Sequence, residues 1–127
     1  MIPAVERWVQ TVVEPAARFH FGVPLVEVKV MASYGCRAMN NQWGARLSEH
    51  GHANALDVGG FVLADGREIK VKTGWLGDMR ERAFLRAVHG GACNTFTTVL
   101  GPNYDRMHHE HIHLDLMRRN ANGMVCK

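Results

Sequence analysis

Residues 55–72, with the sequence ALDVGGFVLADGREIKVK, predict a β-hairpin. The two predicted strands are residues 55–63 and 67–72, joined by a turn at residues 64–66. This turn contains Asp65-Gly66, a pair that suits a tight turn because glycine tolerates a positive φ. The hairpin therefore predicts the start of an antiparallel sheet.

Three more segments have the pattern of β-strands. Within residues 26–30, valines alternate with charged residues, which is the period of a half-buried strand. Residues 96–100 are predicted to form a β-strand that ends at a turn over residues 101–103. The core face of a last strand is predicted to consist of Ile112, Leu114 and Leu116.

Two helical regions are predicted to pack on this sheet. Pro3 suits the first turn of a helix, and Pro15 is predicted to end or kink that same helix. Residues 16–21 continue as a short segment with Gly22 as the C-cap. Asp78 suits the N-cap of a second helix running to about His89, where Gly90-Gly91 ends it. The apolar side of this second helix is predicted to be Phe84, Leu85, Ala87 and Val88.

These elements predict an α+β fold in which helices pack on a small, mainly antiparallel sheet. With 127 residues and 46% hydrophobic content, the chain suits one compact domain, residues 1–127. Basic residues are scattered and no nucleic-acid-reading motif occurs, so we expect no nucleic-acid partner. No apolar run reaches about eighteen residues and no leader is visible, so we expect no membrane span. We expect a monomer.

The three cysteines, Cys36, Cys93 and Cys126, show no metal-binding spacing. In an oxidising envelope two of them would pair and leave the third over. In a cytosol all three would be small buried hydrophobic residues. The sequence leaves both alternatives open.

Most of the eight histidines fall into two clusters, residues 48–57 and 108–115. In the second cluster, strand alternation puts His109, His111, His113 and Asp115 on the face opposite the apolar residues. Residues two apart on one face are about 6.5 Å from one another. That spacing suits one metal ligand and one neighbour of the metal-bound water. The alternative is a solvated, histidine-rich strand edge.

Hydrolytic zinc sites use three protein ligands and one open position, with imidazole nitrogen and carboxylate oxygen as acceptable donors. The first cluster offers a histidine and an aspartate on either side of small residues, and the second offers histidines along one face of a strand. Two histidines and one aspartate would hold one Zn²⁺ per chain, which lowers the pKa of its bound water to about 7.

Residues 48–57 resemble the Ser-x-His-x-x-Gly-x-Ala-x-Asp signature of zinc peptidases of the D-Ala-D-Ala carboxypeptidase and murein endopeptidase superfamily. Ala53 stands where the signature has glycine. The end of the second cluster is similar to the His-x-x-His-x-His ending of murein endopeptidases. Residues 33–37 followed by Gln42 resemble the upstream Tyr-Arg-x-x-x-Gln region. The positions in register with these motifs are Ser48, His50, Ala55, Asp57, His108, His111 and His113.

Four stretches resemble the bacterial extensin-like C-terminal domain family: residues 33–37, 55–61, 98–102 and 111–116. This resemblance spans the chain from about Val12 onward. It implies a D-Ala-D-Ala carboxypeptidase (Hedgehog/DD-peptidase)-like fold and peptidoglycan stem peptides as the substrate. It also implies a location in the periplasm, in the cell envelope or outside the cell.

The resemblance implies metal ligation by His50, Asp57 and His113. His111 would orient the attacking water or stabilise the oxyanion, with His108 as its support. Glu110 is a competing base, because some relatives place a glutamate three residues before the last histidine ligand. Strand parity points Glu110 away from the metal, which favours His111.

Arg37 is implied to bind the substrate carboxylate or the developing oxyanion, and the alternative is a surface arginine. Ser48 and Gln42 are implied substrate contacts, although Ser48 would equally terminate a turn. His52 has no matching role and is expected to face solvent. Asp115 would either support a ligand histidine or pair with Arg118.

Three hypotheses about function follow. The first is a zinc peptidase that cuts a bond next to a D-amino acid, as a D,D-endopeptidase or a D,D-carboxypeptidase. The second is a catalytically silent, zinc-containing module that binds peptidoglycan. The third is a metal-free structural domain with a histidine-rich edge.

Overall fold

The computed structural model describes residues 1–34, 55–104, 110–116 and 124–127. A short π-helical segment, Val9–Val13, joins the first two helices into one path. The elements in chain order are α1 Ile2–Trp8, α2 Glu14–Phe21, β1 Leu25–Tyr34, β2 Ala55–Leu63, β3 Glu68–Lys70, α3 Val71–Gly74, α4 Met79–Ala92, β4 Thr98–Leu100, β5 Ile112–Asp115 and β6 Val125–Cys126.

The described strands form one sheet with the order β1-β2-β5-β4-β6, and β3 pairs with β2 beside this path. The pairs β1–β2, β2–β3, β2–β5 and β4–β5 are antiparallel, whereas β4–β6 is parallel. The predicted α+β class with a mainly antiparallel sheet is confirmed, and the parallel pair makes the sheet mixed.

The hairpin of β2 and β3 is confirmed, with Gly66 at a φ of 91° in its turn. Opposite β1, the register passes from Gly60 to Val58 and leaves Gly59 as an extra residue. A bulge of this kind changes which face later side chains occupy. It explains why Val58 and Phe61, three residues apart, are both fully buried in the core.

The N-terminal helical path continues through Pro15 without ending. The Glu14 N–H donates to the Val9 carbonyl, which is the wider π-type bond. Pro15 then lies in the first turn of α2, where no intrahelical donor is required. Gly22 caps α2 as predicted, with a φ of 74°. Trp8 anchors the path, because its buried Nε1–H donates to the Val88 carbonyl at 3.0 Å.

Asp78 caps α4 as predicted, since its Oδ1 accepts from the Glu81 N–H at 2.9 Å. The predicted end at Gly90-Gly91 was wrong, because α4 continues to Ala92. A Cβ on Gly91 would lie 2.5 Å from Val12 Cγ1. Gly91 therefore permits close helix packing and does not terminate the helix.

Several other predicted details need correction. Ala87 is exposed, so only Phe84, Leu85 and Val88 of the predicted apolar side face the core. The strand predicted over residues 67–72 is limited to β3, because the buried Val71 begins α3. Leu116 lies just beyond β5 and is half-buried, and β4 begins at Thr98 although Phe96 is buried.

The valines of β1 do not form the predicted buried face. Val26 is 63% exposed and Val30 is 44% exposed, while Val28 is half-buried. β1 is the outer strand of the sheet order, and its pairing with β2 is interrupted by three register shifts. These shifts break the strict alternation on which the prediction depended.

A disulfide joins Cys93 at the end of α4 to Cys126 in β6, with a Cα–Cα distance of 5.8 Å. It holds β6 at the sheet edge, where the Val125 N–H donates to the Thr97 carbonyl at 2.8 Å. Cys36 lies outside the described residues. Among the helices that the structure describes, none has both the length and the apolar character needed to cross a membrane.

Candidate functional site

The pairing of β2 with β5 creates the candidate site. Asp57 is the register partner of His113, and Ala55 is the partner of Asp115. Directly paired residues share one face of a sheet, so Asp57, His113 and Asp115 project from the same face. Ile112 and Leu114 are fully buried in the core on the opposite face. The predicted alternation along residues 111–115 is confirmed.

The polar side chains of this face form a chain of contacts. Asp57 Oδ1 lies 3.0 Å from His113 Nδ1, and Asp115 Oδ2 lies 2.9 Å from His113 Nε2. His111 Nε2 lies 3.7 Å from Asp57 Oδ1. Residues from two distant motifs thus meet in one cluster, which we call the Asp57–His113 cluster: Asp57, His111, His113 and Asp115.

The two carboxylates of this cluster are buried, with Asp57 6% and Asp115 2% exposed. Buried carboxylates are costly unless partners offset their desolvation. The hydrogen bond to Asp115, followed by that to Asp57, raises the pKa of His113 to about 9 despite the opposing effect of burial. Without a metal, His113 is therefore protonated at neutral pH and donates to both carboxylates.

The donor chemistry of the cluster fits zinc, for which imidazole nitrogen and carboxylate oxygen are suitable ligands. Two donors on a tetrahedral zinc, each bonded at about 2.0–2.1 Å, stand roughly 3.3 Å apart. The 3.0 Å between Asp57 Oδ1 and His113 Nδ1 is close to that separation. Within the described ranges, no group of three His, Cys, Asp or Glu side chains has metal-binding geometry. A zinc ion at this cluster would need a third ligand from another part of the chain, and the predicted one, His50, lies outside the described residues.

Glu110, the competing candidate for the base, contacts a different partner. Its Oε2 lies 3.9 Å from Lys72 Nζ, and its side chain is 46% exposed. His111 instead contacts Asp57, and its side chain is only 19% exposed. Glu110 thus lies by Lys72, whereas His111 lies by Asp57 within the cluster.

The neighbours of the cluster on the same face of the sheet are small or apolar. Ala32 in β1 is the register partner of Asp57, and Leu100 in β4 is the partner of His113. Thr98, which is buried, is the partner of Asp115.

Several predicted site residues lie outside the described residues: Arg37, Gln42, Ser48, His50, His52 and His108. Asp115 was left between two alternatives by the sequence, support of a ligand histidine or pairing with Arg118. The structure places it against His113. The signal in the sequence was its spacing, since Asp115 follows His113 by two residues in a strand.

A family model described as "Extensin-like protein C-terminus" matches residues 1–127. No curated protein gives a significant match, and neither does any solved structure.

Proposed function

This chain belongs to the extensin-like protein C-terminus family, and from that premise and the Asp57–His113 cluster we propose that it is a zinc-dependent peptidoglycan peptidase. Its reaction would be hydrolysis of a peptide bond in the stem peptides of bacterial cell wall, as a D,D-endopeptidase or a D,D-carboxypeptidase. The fold would be that of the D-Ala-D-Ala carboxypeptidases.

The observation that carries this proposal is the 3.0 Å contact between Asp57 and His113. The two residues are 56 positions apart and belong to two separate motifs, each similar to one part of a zinc peptidase signature. A solvated histidine-rich edge would not require a buried aspartate opposite the last histidine. The contact therefore supports a site in which both motifs serve one centre.

In this proposal His50, Asp57 and His113 hold the zinc ion, one per chain. When bound, zinc would supply a nucleophile from water at neutral pH and polarise the scissile carbonyl. His111, beside Asp57, would accept the proton of the attacking water or donate a hydrogen bond to the developing oxyanion. His108 would support His111. Arg37, Gln42 and Ser48 would bind the substrate, and the Arg37 guanidinium suits its terminal carboxylate.

The disulfide between Cys93 and Cys126 supports a location in the periplasm, in the envelope or outside the cell. Disulfides form and persist in oxidising compartments and are rare in the cytosol. This agrees with a substrate that lies outside the cytoplasmic membrane.

The test is mass spectrometry of cross-linked muropeptides after incubation with the zinc-loaded protein, with and without a chelator. We expect cleavage that the chelator abolishes and that His113→Ala loses. His20→Ala is the matched control, because His20 lies on α2, where its ring contacts that of Phe19 edge to face. Intact muropeptides in the presence of protein with one bound zinc would refute catalysis and select the zinc-containing binding module.

A further inference from the structure

His113 has a carboxylate on each side of its ring. Its Nδ1 faces Asp57 Oδ1 at 3.0 Å, and its Nε2 faces Asp115 Oδ2 at 2.9 Å. A histidine that binds a metal through one ring nitrogen commonly gives its other N–H to a carboxylate, which fixes the tautomer and the ring orientation. The two carboxylates of this site therefore suit different tasks.

We propose that Asp115 is a positioning residue that accepts the Nε2–H of His113 and so presents Nδ1 toward Asp57 and the metal. This assignment rests on the proposed function, because it takes His113 and Asp57 as zinc ligands. Asp115 itself does not touch the metal or the substrate.

Asp115 lies in a central strand of the sheet, where its backbone is paired on both sides. Its strand, β5, lies between β2 and β4, and Asp115 pairs with Ala55 on one side and Thr98 on the other. Its carbonyl accepts from the Thr97 N–H at 2.9 Å and from Thr97 Oγ1 at 3.2 Å. With the backbone fixed on both sides and the side chain 4% exposed, the carboxylate has little freedom to leave His113.

The burial of Asp115 also supports its role as a positioning residue. A carboxylate removed from water without a charged or hydrogen-bonded partner would destabilise the fold. Asp115 meets this requirement through His113, which lies two residues earlier on the same face of β5. Asp57 is the carboxylate that faces the other ring nitrogen, and His111 is also near it. Asp115 is thus the carboxylate that contacts His113 Nε2, and Asp57 is the one that lies near both His113 Nδ1 and His111.

The experiment measures zinc affinity by chelator competition for the wild type, Asp115→Asn and Glu6→Gln. Glu6 lies exposed on α1, so its variant removes one negative charge away from the site. We expect one zinc per wild-type chain, an affinity about 10–100-fold weaker for Asp115→Asn, and an unchanged affinity for Glu6→Gln. An unaltered affinity in Asp115→Asn would overturn the assignment while leaving the zinc site intact. A wild type without zinc would overturn the proposed function together with the assignment.

Nitrogen-15 NMR of the zinc-loaded wild type supplies a readout that does not depend on any variant folding. We expect His113 to show a metal-bound Nδ1 and a protonated, slowly exchanging Nε2. In Asp115→Asn the Nε2 proton should exchange faster, a change that a purely structural role would not produce. A wild-type spectrum with Nε2 on the metal and the proton on Nδ1 would overturn the assignment by itself.

Discussion

The stability of the metal-free protein should fall as the pH rises from about 6.5 to above 9, because His113 loses its proton. In the folded chain the pKa of His113 is raised from 6.5 to about 9 by Asp115 and Asp57. A group with a raised folded pKa contributes its full stability below the unfolded pKa and loses it as the pH passes the folded pKa. At about 1.4 kcal/mol per pH unit, the contribution of His113 is about 3 kcal/mol.

Urea unfolding of chelator-treated protein between pH 6 and pH 10 measures this loss. The comparison is with His113→Gln, whose amide keeps a polar side chain but cannot carry the charge. The difference in unfolding free energy between wild type and variant should be largest near pH 6 and should shrink by about 3 kcal/mol by pH 10. A difference that stays constant with pH would show that the two carboxylates do not hold a proton on His113.

The proton on His113 competes with zinc for the same ring, so the apparent zinc affinity should rise about tenfold for each pH unit up to 9. Chelator competition measures this affinity, and a value that does not change with pH would contradict the competition. Gly91→Ala should lower the free energy of unfolding by about 1–3 kcal/mol, because its Cβ would clash with the π-helical segment. Gly90→Ala, which meets nothing within 4 Å in the same helix, should instead raise it by up to about 1 kcal/mol, and equal effects of the two changes in urea unfolding would refute the packing role. The Cys93–Cys126 disulfide joins residues 33 positions apart, and its reduction should lower the free energy of unfolding by about 2–4 kcal/mol, seen as a lower midpoint of urea unfolding. An unchanged midpoint would contradict a structural disulfide.

The features that the sequence predicted best are those that depend on local chemistry. The Asp65-Gly66 turn and the Asp78 cap depend on a few neighbouring residues, and both are present. The placement of His111, His113 and Asp115 on one face follows from strand alternation alone. The meeting of Asp57 with His113 was expected because two separate motifs implied it.

The features that the sequence did not predict depend on contacts between distant elements. The Gly59 bulge and the exposed valines of β1 arise from the register between two strands, which no local pattern specifies. Gly91 resembled a helix end, but its role is to admit the N-terminal helical path.

The proposed function requires that Asp57 and His113 together hold one zinc ion. Native mass spectrometry after addition of one equivalent of zinc measures this, using the wild type, Asp57→Asn and His113→Gln at one protein concentration. We expect one zinc per chain in the wild type and its loss in both variants. A wild type that stays metal-free, or variants that retain zinc at the same stoichiometry, would contradict it.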